Sequence, residues 1–160
     1  MTKKFKTFSE ILPRALWIVM VILLYLGEYL SKSAQLLEKS TLLLIFGWCF
    51  TVTGFFFWMY VVFYMRKAFF NKELMIDGPF KYVRHPMYVG IYIMLLGLGK
   101  LFFSWHWFVI MLIFIPIWYF VCKIEEKQMA YIHKEKYLEY KEKVGMFFPK
   151  FHKGNVKWKG

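Results

Sequence analysis

The fold is decided by the stretch from Thr41 to Met65, which reads TLLLIFGWCFTVTGFFFWMYVVFYM and contains no charged residue. A helix needs about 20 mostly apolar residues to cross the hydrocarbon core of a bilayer. This stretch is long enough, and no charge interrupts it. It therefore predicts a transmembrane helix over residues 41–65.

Three further apolar segments flank this stretch, and together they predict the fold class. The chain has 160 residues, of which 59% are hydrophobic, whereas soluble domains contain roughly 45–50% apolar residues. This composition argues against a disordered chain and a water-soluble globule, and two cysteines argue against a disulfide-stapled scaffold. We expect one all-α membrane domain over residues 1–160. Its four transmembrane helices are predicted at 15–30, 41–65, 87–103 and 105–122, followed by a C-terminal helix in the segment 123–160.

The positive charge is distributed unevenly between these segments. The formal net charge is +12, and 19 of the 22 Lys and Arg residues lie in residues 1–14, 66–86 and 123–160. Basic residues concentrate on the cytoplasmic side of membrane proteins. We therefore expect both termini and the C-terminal helix to be cytoplasmic, in the inner membrane of a prokaryote. The charge indicates orientation and contact with lipid, and we expect no nucleic-acid partner.

A polar stretch between the second and third predicted spans is unusual for a plain connector. It reads DGPFKYVRHPMYVG from Asp77 to Gly90. Pro86 suits the first turn of a helix, so Arg84, His85 and Tyr88 are predicted at a helix N-terminus, where anionic groups are attracted. A simple turn whose arginine binds a lipid phosphate remains an alternative.

A second stretch, KIEEK, follows the fourth predicted span and contains Glu125 and Glu126. Carboxylates are poorly placed at a helix C-terminus near anionic lipid. Adjacent helical residues point about 100° apart, so only one of the two has to face the protein. Pairing with a nearby lysine or with Arg84 is one explanation. The other is a site that, together with His85 and its neighbours, suits a zwitterionic or cationic small molecule.

The chain resembles a known enzyme family at these residues. The run GPFKYVRHPMYVG (Gly78–Gly90), the EE pair about 35 residues later and the YLEY segment (Tyr137–Tyr140) are similar to the isoprenylcysteine carboxyl methyltransferases. These are integral membrane enzymes that use S-adenosylmethionine, and the resemblance covers roughly residues 70–150. Phospholipid N-methyltransferases share a weaker version of the pattern. The resemblance implies methyl transfer to a lipophilic acceptor, first of all the carboxylate of a prenylated cysteine or a similar prenoid, with a phospholipid amine as the alternative.

The resemblance also implies functional residues. Arg84 or Lys123 would orient an anionic acceptor, and Glu126 and Tyr137 would contribute to its binding. The cofactor would contact Leu74, Met75, Phe80, His85, Pro86, Met87, Tyr88 and Glu125.

Other chemistries have less support in the sequence. The four histidines do not form an HxxxH or a Cys/His motif, so we expect no metal site. A membrane reductase would normally have more spans. A small membrane scaffold or transporter subunit remains the non-enzymatic alternative, in which His85 and Glu125 would only pack or contact lipid.

Overall fold

Helices make up almost all of the protein that the structure describes. The computed structural model describes residues 3–30, 41–71, 74–102 and 105–150. Within these residues there is no strand, and the one β-bridge joins Val83 to Gly145. The prediction of an all-helical protein is therefore confirmed. The helices are α1 (Lys3–Leu30), α2 (Thr41–Asn71), α3 (Pro86–Phe102) and α4 (Trp105–Lys143), and a short 3₁₀ turn (Gly78–Lys81) lies between α2 and α3.

The helices contain the predicted spans but extend beyond most of them. α1 begins within the basic N-terminal segment, α2 continues to Asn71, and α4 runs on past its apolar part to Lys143. Charged and polar residues such as Lys and Glu are good helix formers, so the end of an apolar run need not end the helix. Pro86 occupies the first position of α3, as predicted. The last residue of the predicted third span, 103, lies outside the described residues.

α2 and α3 pack closely because glycines line their interface. A Cβ added to Gly54 would collide with the backbone of Met94, and one added to Gly97 would collide with the backbone of Thr51. Small residues allow helix backbones to approach in this way in membranes. Because Gly54 lies further along α2 than Thr51 while Met94 precedes Gly97 in α3, the two helices run antiparallel.

α1 packs along α4, and α3 completes the core beside them. The ring centroids of Trp17 and Trp118 lie 4.6 Å apart, and Gly27 lies beside His106. These two contacts make α1 and α4 antiparallel. Side chains from all three helices form the main buried cluster, with Met20 and Leu24 from α1, Tyr88, Ile91 and Leu95 from α3, and Met111, Phe114, Trp118, Val121 and Cys122 from α4.

Among the described residues, two helices are long and apolar enough to cross a membrane, over Thr41–Arg66 and His106–Lys143. Only 11% of the most apolar 18-residue stretch of Thr41–Arg66 is buried inside the molecule. The core helix of a soluble protein would be mostly buried, so this helix is not of that kind. Large apolar side chains cover the exposed faces of α1 and α2, such as Ile18, Phe46 and Phe56. Shorter apolar helices span Ile11–Gly27 and Pro86–Gly99. The protein thus has the surface of a membrane protein, while the count of four spans stays a prediction.

α4 changes direction at Lys134, whose backbone angles are φ 49° and ψ −124°. In a straight α-helix, Glu126 and Lys141 would lie about 22 Å apart along the axis. Here the Lys141 ammonium lies 2.9 Å from the Glu126 carboxylate. The break at Lys134 therefore brings the last part of the helix back towards the residues that follow the apolar part, which ends at Cys122.

Candidate active site

The segment that precedes α3 pairs with the segment that follows α4. Gly78 has a φ of +57° that lets the chain turn. Beyond this turn, the backbone N–H of Arg84 donates to the carbonyl of Gly145 at 2.8 Å, and that of His85 donates to the carbonyl of Met146 at 3.1 Å. These bonds fix the two residues where the α3 N-terminus meets the charged part of α4.

Arg84 is the centre of a buried charge network. Its guanidinium donates to Glu126 Oε1 from Nε at 2.7 Å and approaches the same oxygen with Nη2 at 2.6 Å. The third nitrogen, Nη1, donates to the carbonyl oxygens of Lys141 (3.1 Å) and Val144. The side chains of Arg84 and Glu126 are only 7% and 1% exposed. All three guanidinium nitrogens are thus engaged with the protein itself.

Glu125 faces a different set of partners. Tyr88 donates its hydroxyl to Glu125 Oε1 at 2.8 Å, and the other oxygen, Oε2, lies 3.6 Å from His85 Nδ1. The Glu125 side chain is 28% exposed, much more than that of Glu126. Both adjacent carboxylates therefore contact the protein, Glu126 as a fully buried partner of Arg84 and Glu125 as the accessible one.

The two carboxylates differ in their electrostatics. Burial raises the pKa of Glu125, and the Tyr88 hydrogen bond and His85 only partly offset this effect. Burial also opposes ionisation of Glu126, but the neighbouring His85, Lys141 and Arg84 outweigh it and lower the pKa of Glu126 to about 2. Arg84 and Lys141 thus favour the ionised form of Glu126, whereas burial favours the protonated form of Glu125.

Aromatic rings surround the His85–Tyr88 pair. The centroids of the Tyr88 and Trp118 rings lie 5.2 Å apart, and the His85 ring lies 6.0 Å from that of Phe147. Two buried donors or acceptors here, His85 Nε2 and Trp118 Nε1, have no hydrogen-bond partner among the described residues. Buried polar atoms are normally paired, so this region suits a ligand with polar groups and a flat ring or a cationic centre.

A second cluster lies beyond the break in α4. Tyr137, Tyr140 and Val144 are buried together, with Leu74 and Phe80 packed against them. Tyr140 donates its hydroxyl to the carbonyl of Phe80 at 2.7 Å. Burial raises the pKa values of Tyr137 and Tyr140, so both are neutral phenols. Leu74, Phe80 and Tyr137, three residues predicted to contact ligand, thus share one apolar cluster.

The remaining predicted residues are distributed around these two clusters. Pro86 is fully buried, and Met87 is partly buried against the main core. Met75 is half-buried in the segment before the 3₁₀ turn. The Lys123 ammonium lies 5.2 Å from the centroid of the Tyr119 ring, a cation–π contact within α4.

Several residues of this region were not identified from the sequence. Lys141, Trp118 and Phe147 have no local motif that marks them, and only the chain reversal at Lys134 brings Lys141 to Glu126. Cys122 had a weak signal, because it lies three residues before Glu125 and so shares a helix face with it.

A family model for phospholipid methyltransferases matches residues 36–136. The chain belongs to this family. It is part of the isoprenylcysteine carboxyl methyltransferase-like group of integral membrane methyltransferases, so the resemblance seen in the RHPMYVG and EE motifs is confirmed. No curated protein and no solved structure shows significant similarity to the chain.

The match to the phospholipid methyltransferase family includes most of the site but not all of it. It contains Arg84, His85, Glu125 and Glu126, and it ends before Lys141. The protein is therefore a membrane methyltransferase of a family that uses S-adenosylmethionine. The segment of α4 after Lys134 lies largely beyond the matched region. It adds contacts to the site such as that of Lys141 with Glu126.

Proposed function

We propose that this protein transfers a methyl group from S-adenosylmethionine to a lipophilic acceptor that enters from the bilayer. The observation that carries the proposal is the group that His85 and Tyr88, at the start of α3, form with Glu125 of α4. It lies where the apolar part of α4 ends, so a soluble cofactor and a membrane-embedded acceptor can both reach it. We expect this site to face the cytoplasm.

The residues present fit the cofactor. The accessible Glu125 carboxylate would accept hydrogen bonds from its ammonium or ribose hydroxyls, and the unpaired His85 Nε2 is available for a polar group. The Tyr88 and Trp118 rings supply aromatic faces for adenine or for the cationic sulfur. When bound, the cofactor supplies an activated methyl group on its sulfonium. We propose that Pro86, Met87, Phe80 and the backbone near Leu74 and Met75 also line its site.

Catalysis would depend mainly on positioning. Methyl transfer is an in-line displacement, so holding donor and acceptor in line supplies much of the rate enhancement. A carboxylate acceptor is already nucleophilic, whereas an ammonium acceptor must first lose a proton. The buried core around Tyr88 and Trp118 excludes water from one side of the site.

A prenylated cysteine or a related prenoid carboxylate is the acceptor that the sequence resemblance favours. Such an acceptor needs a cation to orient its carboxylate. Lys123 is one candidate, and Arg84 is the other. Because every nitrogen of the Arg84 guanidinium already binds protein oxygens, we favour a positioning role for Arg84 over direct contact with the acceptor.

A phospholipid amine is the second candidate acceptor. The engagement of Arg84 favours it, since an amine needs no guanidinium clamp, and so does the description of the matched family. Tyr137 and Glu126 were predicted to contact the acceptor. Their burial at 4% and 1% favours indirect roles for both.

The proposal is tested first by binding. Glu125→Gln should weaken the binding of S-adenosylhomocysteine by about 10- to 100-fold, because a hydrogen bond to a charged group contributes roughly 1.5–3 kcal/mol. Titration calorimetry in nanodiscs measures this. Glu139→Gln is the matched control, since Glu139 is an exposed carboxylate of the same helix, paired with Lys143.

The acceptor is identified by transfer of a radiolabelled methyl group into a total lipid extract. A base-labile product indicates an ester and therefore a carboxylate acceptor, and a base-stable product indicates N-methylation or ether formation. Absence of cofactor binding by the wild type in several detergents and in nanodiscs would refute the enzyme assignment. A scaffold role predicts instead that His85→Ala changes stability alone.

A further inference from the structure

Three side chains with metal-ligand chemistry meet at the end of the apolar part of α4. The ligand atoms of His85, Cys122 and Glu125 all lie within 4.8 Å of one another. Cys122 and Glu125 are three residues apart on one helix face, and His85 approaches them from the start of α3. No sequence motif marks these three residues as a group, because His85 lies 37 residues before Cys122 in the chain and on a different element.

We infer that His85, Cys122 and Glu125 form a site for Zn²⁺, and that Zn²⁺ bound there excludes the cofactor. Imidazole nitrogen, thiolate sulfur and carboxylate oxygen are the three ligand types that Zn²⁺ takes in proteins. A set of three protein ligands leaves the fourth tetrahedral position open. The exclusion of the cofactor rests on the proposed function, whereas the metal site does not.

The geometry needs only a small adjustment to bind the ion. His85 Nδ1 and Glu125 Oε2 are already 3.6 Å apart, close to the spacing of two ligands that each lie about 2.0–2.2 Å from zinc in a tetrahedral site. All three ligand atoms lie within 4.8 Å of one another, so the sulfur of Cys122 has to approach the other two by at most about 1 Å, which a side-chain rotation can provide.

The surroundings of the three ligands resemble a prepared outer shell. Tyr88 holds Glu125 Oε1 at 2.8 Å and leaves Oε2 facing His85. The other nitrogen of the imidazole, Nε2, lies 3.6 Å from Glu126 Oε1. Zinc-bound histidines characteristically direct their second nitrogen to a carboxylate, which fixes the tautomer. Glu126 itself is held by Arg84 and Lys141 and stays an anion.

Charge and access also favour a divalent ion. A thiolate and a carboxylate together carry two negative charges, which cancel those of Zn²⁺, so the filled site adds no net charge to a buried region. The Cys122 side chain is fully buried, but Glu125 is 28% exposed. The ion would therefore enter past Glu125. That carboxylate is the same group proposed to bind the cofactor, so the two ligands compete.

The test uses the full-length protein in nanodiscs, purified without a histidine tag, with Zn²⁺ and Co²⁺ as probes. We expect one Zn²⁺ per chain and release of about one proton as the Cys122 thiol ionises. Co²⁺ should give the near-ultraviolet charge-transfer band of a cobalt–thiolate bond. Cys122→Ser should remove this band. Loss of an outer-shell partner weakens metal binding by up to about 100-fold, so loss of the Cys122 ligand itself should weaken Zn²⁺ binding by more than that.

Cys49→Ser is the matched control, because Cys49 is the other cysteine of the chain and is exposed on α2. It should bind Zn²⁺ and Co²⁺ as the wild type does. Zn²⁺ at about ten times its own dissociation constant should raise the apparent dissociation constant of S-adenosylhomocysteine about tenfold in the wild type and in Cys49→Ser. In Cys122→Ser, the same Zn²⁺ concentration should not change the dissociation constant of S-adenosylhomocysteine. It should stay at the value that this variant gives without Zn²⁺.

The outcomes separate the metal site from the proposed function. Retention of the cobalt band or of Zn²⁺ affinity in Cys122→Ser, or simultaneous binding of Zn²⁺ and S-adenosylhomocysteine, overturns the inference. If the wild type binds Zn²⁺ through Cys122 but never binds S-adenosylhomocysteine, the metal site stands and the proposed function fails. If it binds S-adenosylhomocysteine and no Zn²⁺, the inference fails and the proposed function stands.

Discussion

Glu125 and Glu126 show how two identical neighbours acquire different tasks. Glu126 is buried against Arg84 and Lys141, while Glu125 remains accessible beside Tyr88 and His85. Sequence reasoning identified both carboxylates as unusual and named Arg84 as a possible partner. It could not assign them, because Lys141, the second partner of Glu126, is brought close only by the reversal at Lys134.

Arg84→Met should destabilise the protein strongly. It removes the more buried of the two cationic partners of Glu126, a carboxylate that is 1% exposed, and it also removes the guanidinium donor from the carbonyls of Lys141 and Val144. Breaking a buried ion pair from one side typically costs about 3–5 kcal/mol. We expect a loss of that size in the free energy of unfolding, measured by chemical denaturation in detergent micelles. The double variant Arg84→Met, Glu126→Leu should recover much of the loss.

The matched control for this ion pair is Glu139→Gln. It breaks the pair between Glu139 and Lys143, in which the Glu139 side chain is 61% exposed. Surface pairs contribute about 0–1 kcal/mol. Equal effects of Arg84→Met and Glu139→Gln would contradict the structural role assigned to the buried network.

At the scale of helices, the sequence predicts α2 well and α4 only in part. A 25-residue run without charge defines α2 unambiguously. The sequence also predicts a cytoplasmic C-terminal helix after the fourth span, but it does not predict that this helix turns back. Breaks in helices are usually marked by glycine or proline, and neither is present around Lys134. The reversal depends on tertiary contacts made by Lys141 and Tyr140.

Lys134→Gly should stabilise the protein. Lys134 has a positive φ of 49°, and holding a side chain in such a conformation costs of order 1–3 kcal/mol. Glycine adopts it without that cost, although it loses more backbone entropy on folding. We expect a net gain of about 1 kcal/mol in the free energy of unfolding, measured by chemical denaturation in detergent micelles.

Lys136→Gly, at a neighbouring exposed lysine, should instead lower the free energy of unfolding. Position 136 is helical, and glycine in a helix interior costs about 0.5–1 kcal/mol. If both substitutions destabilise the protein equally, α4 does not turn back at Lys134.

For the molecule as a whole, charge and apolarity were sufficient to predict an all-helical membrane protein. The assembly of the helices was not predictable in the same way, because it depends on close contacts such as that of Gly54 with Met94 and that of Trp17 with Trp118. These contacts make neighbouring helices antiparallel. Of the predicted site, Arg84, His85, Tyr88, Glu125 and Glu126 come together, while Leu74, Phe80 and Tyr137 form a separate cluster.

The predicted orientation is testable in intact bacterial cells with a membrane-impermeant maleimide. In a Cys49→Ser background, Lys127→Cys should be protected and Ser33→Cys should be labelled, since the basic excess indicates that position 127 is cytoplasmic and position 33 is external. Permeabilised cells, in which both sites should react, are the control. Labelling of Lys127→Cys in intact cells would contradict the predicted orientation and place position 127 outside the cell.

The backbone bonds from Arg84 to Gly145 and from His85 to Met146 link positions about 60 residues apart. Arg84 and His85 are therefore synthesised well before the carbonyl groups that accept hydrogen bonds from them, and neither bond can form until all of α4 has been made. The fixed backbone geometry of the candidate site is thus a property of a chain complete to at least Met146, and we expect chains that stop within α4 to lack it.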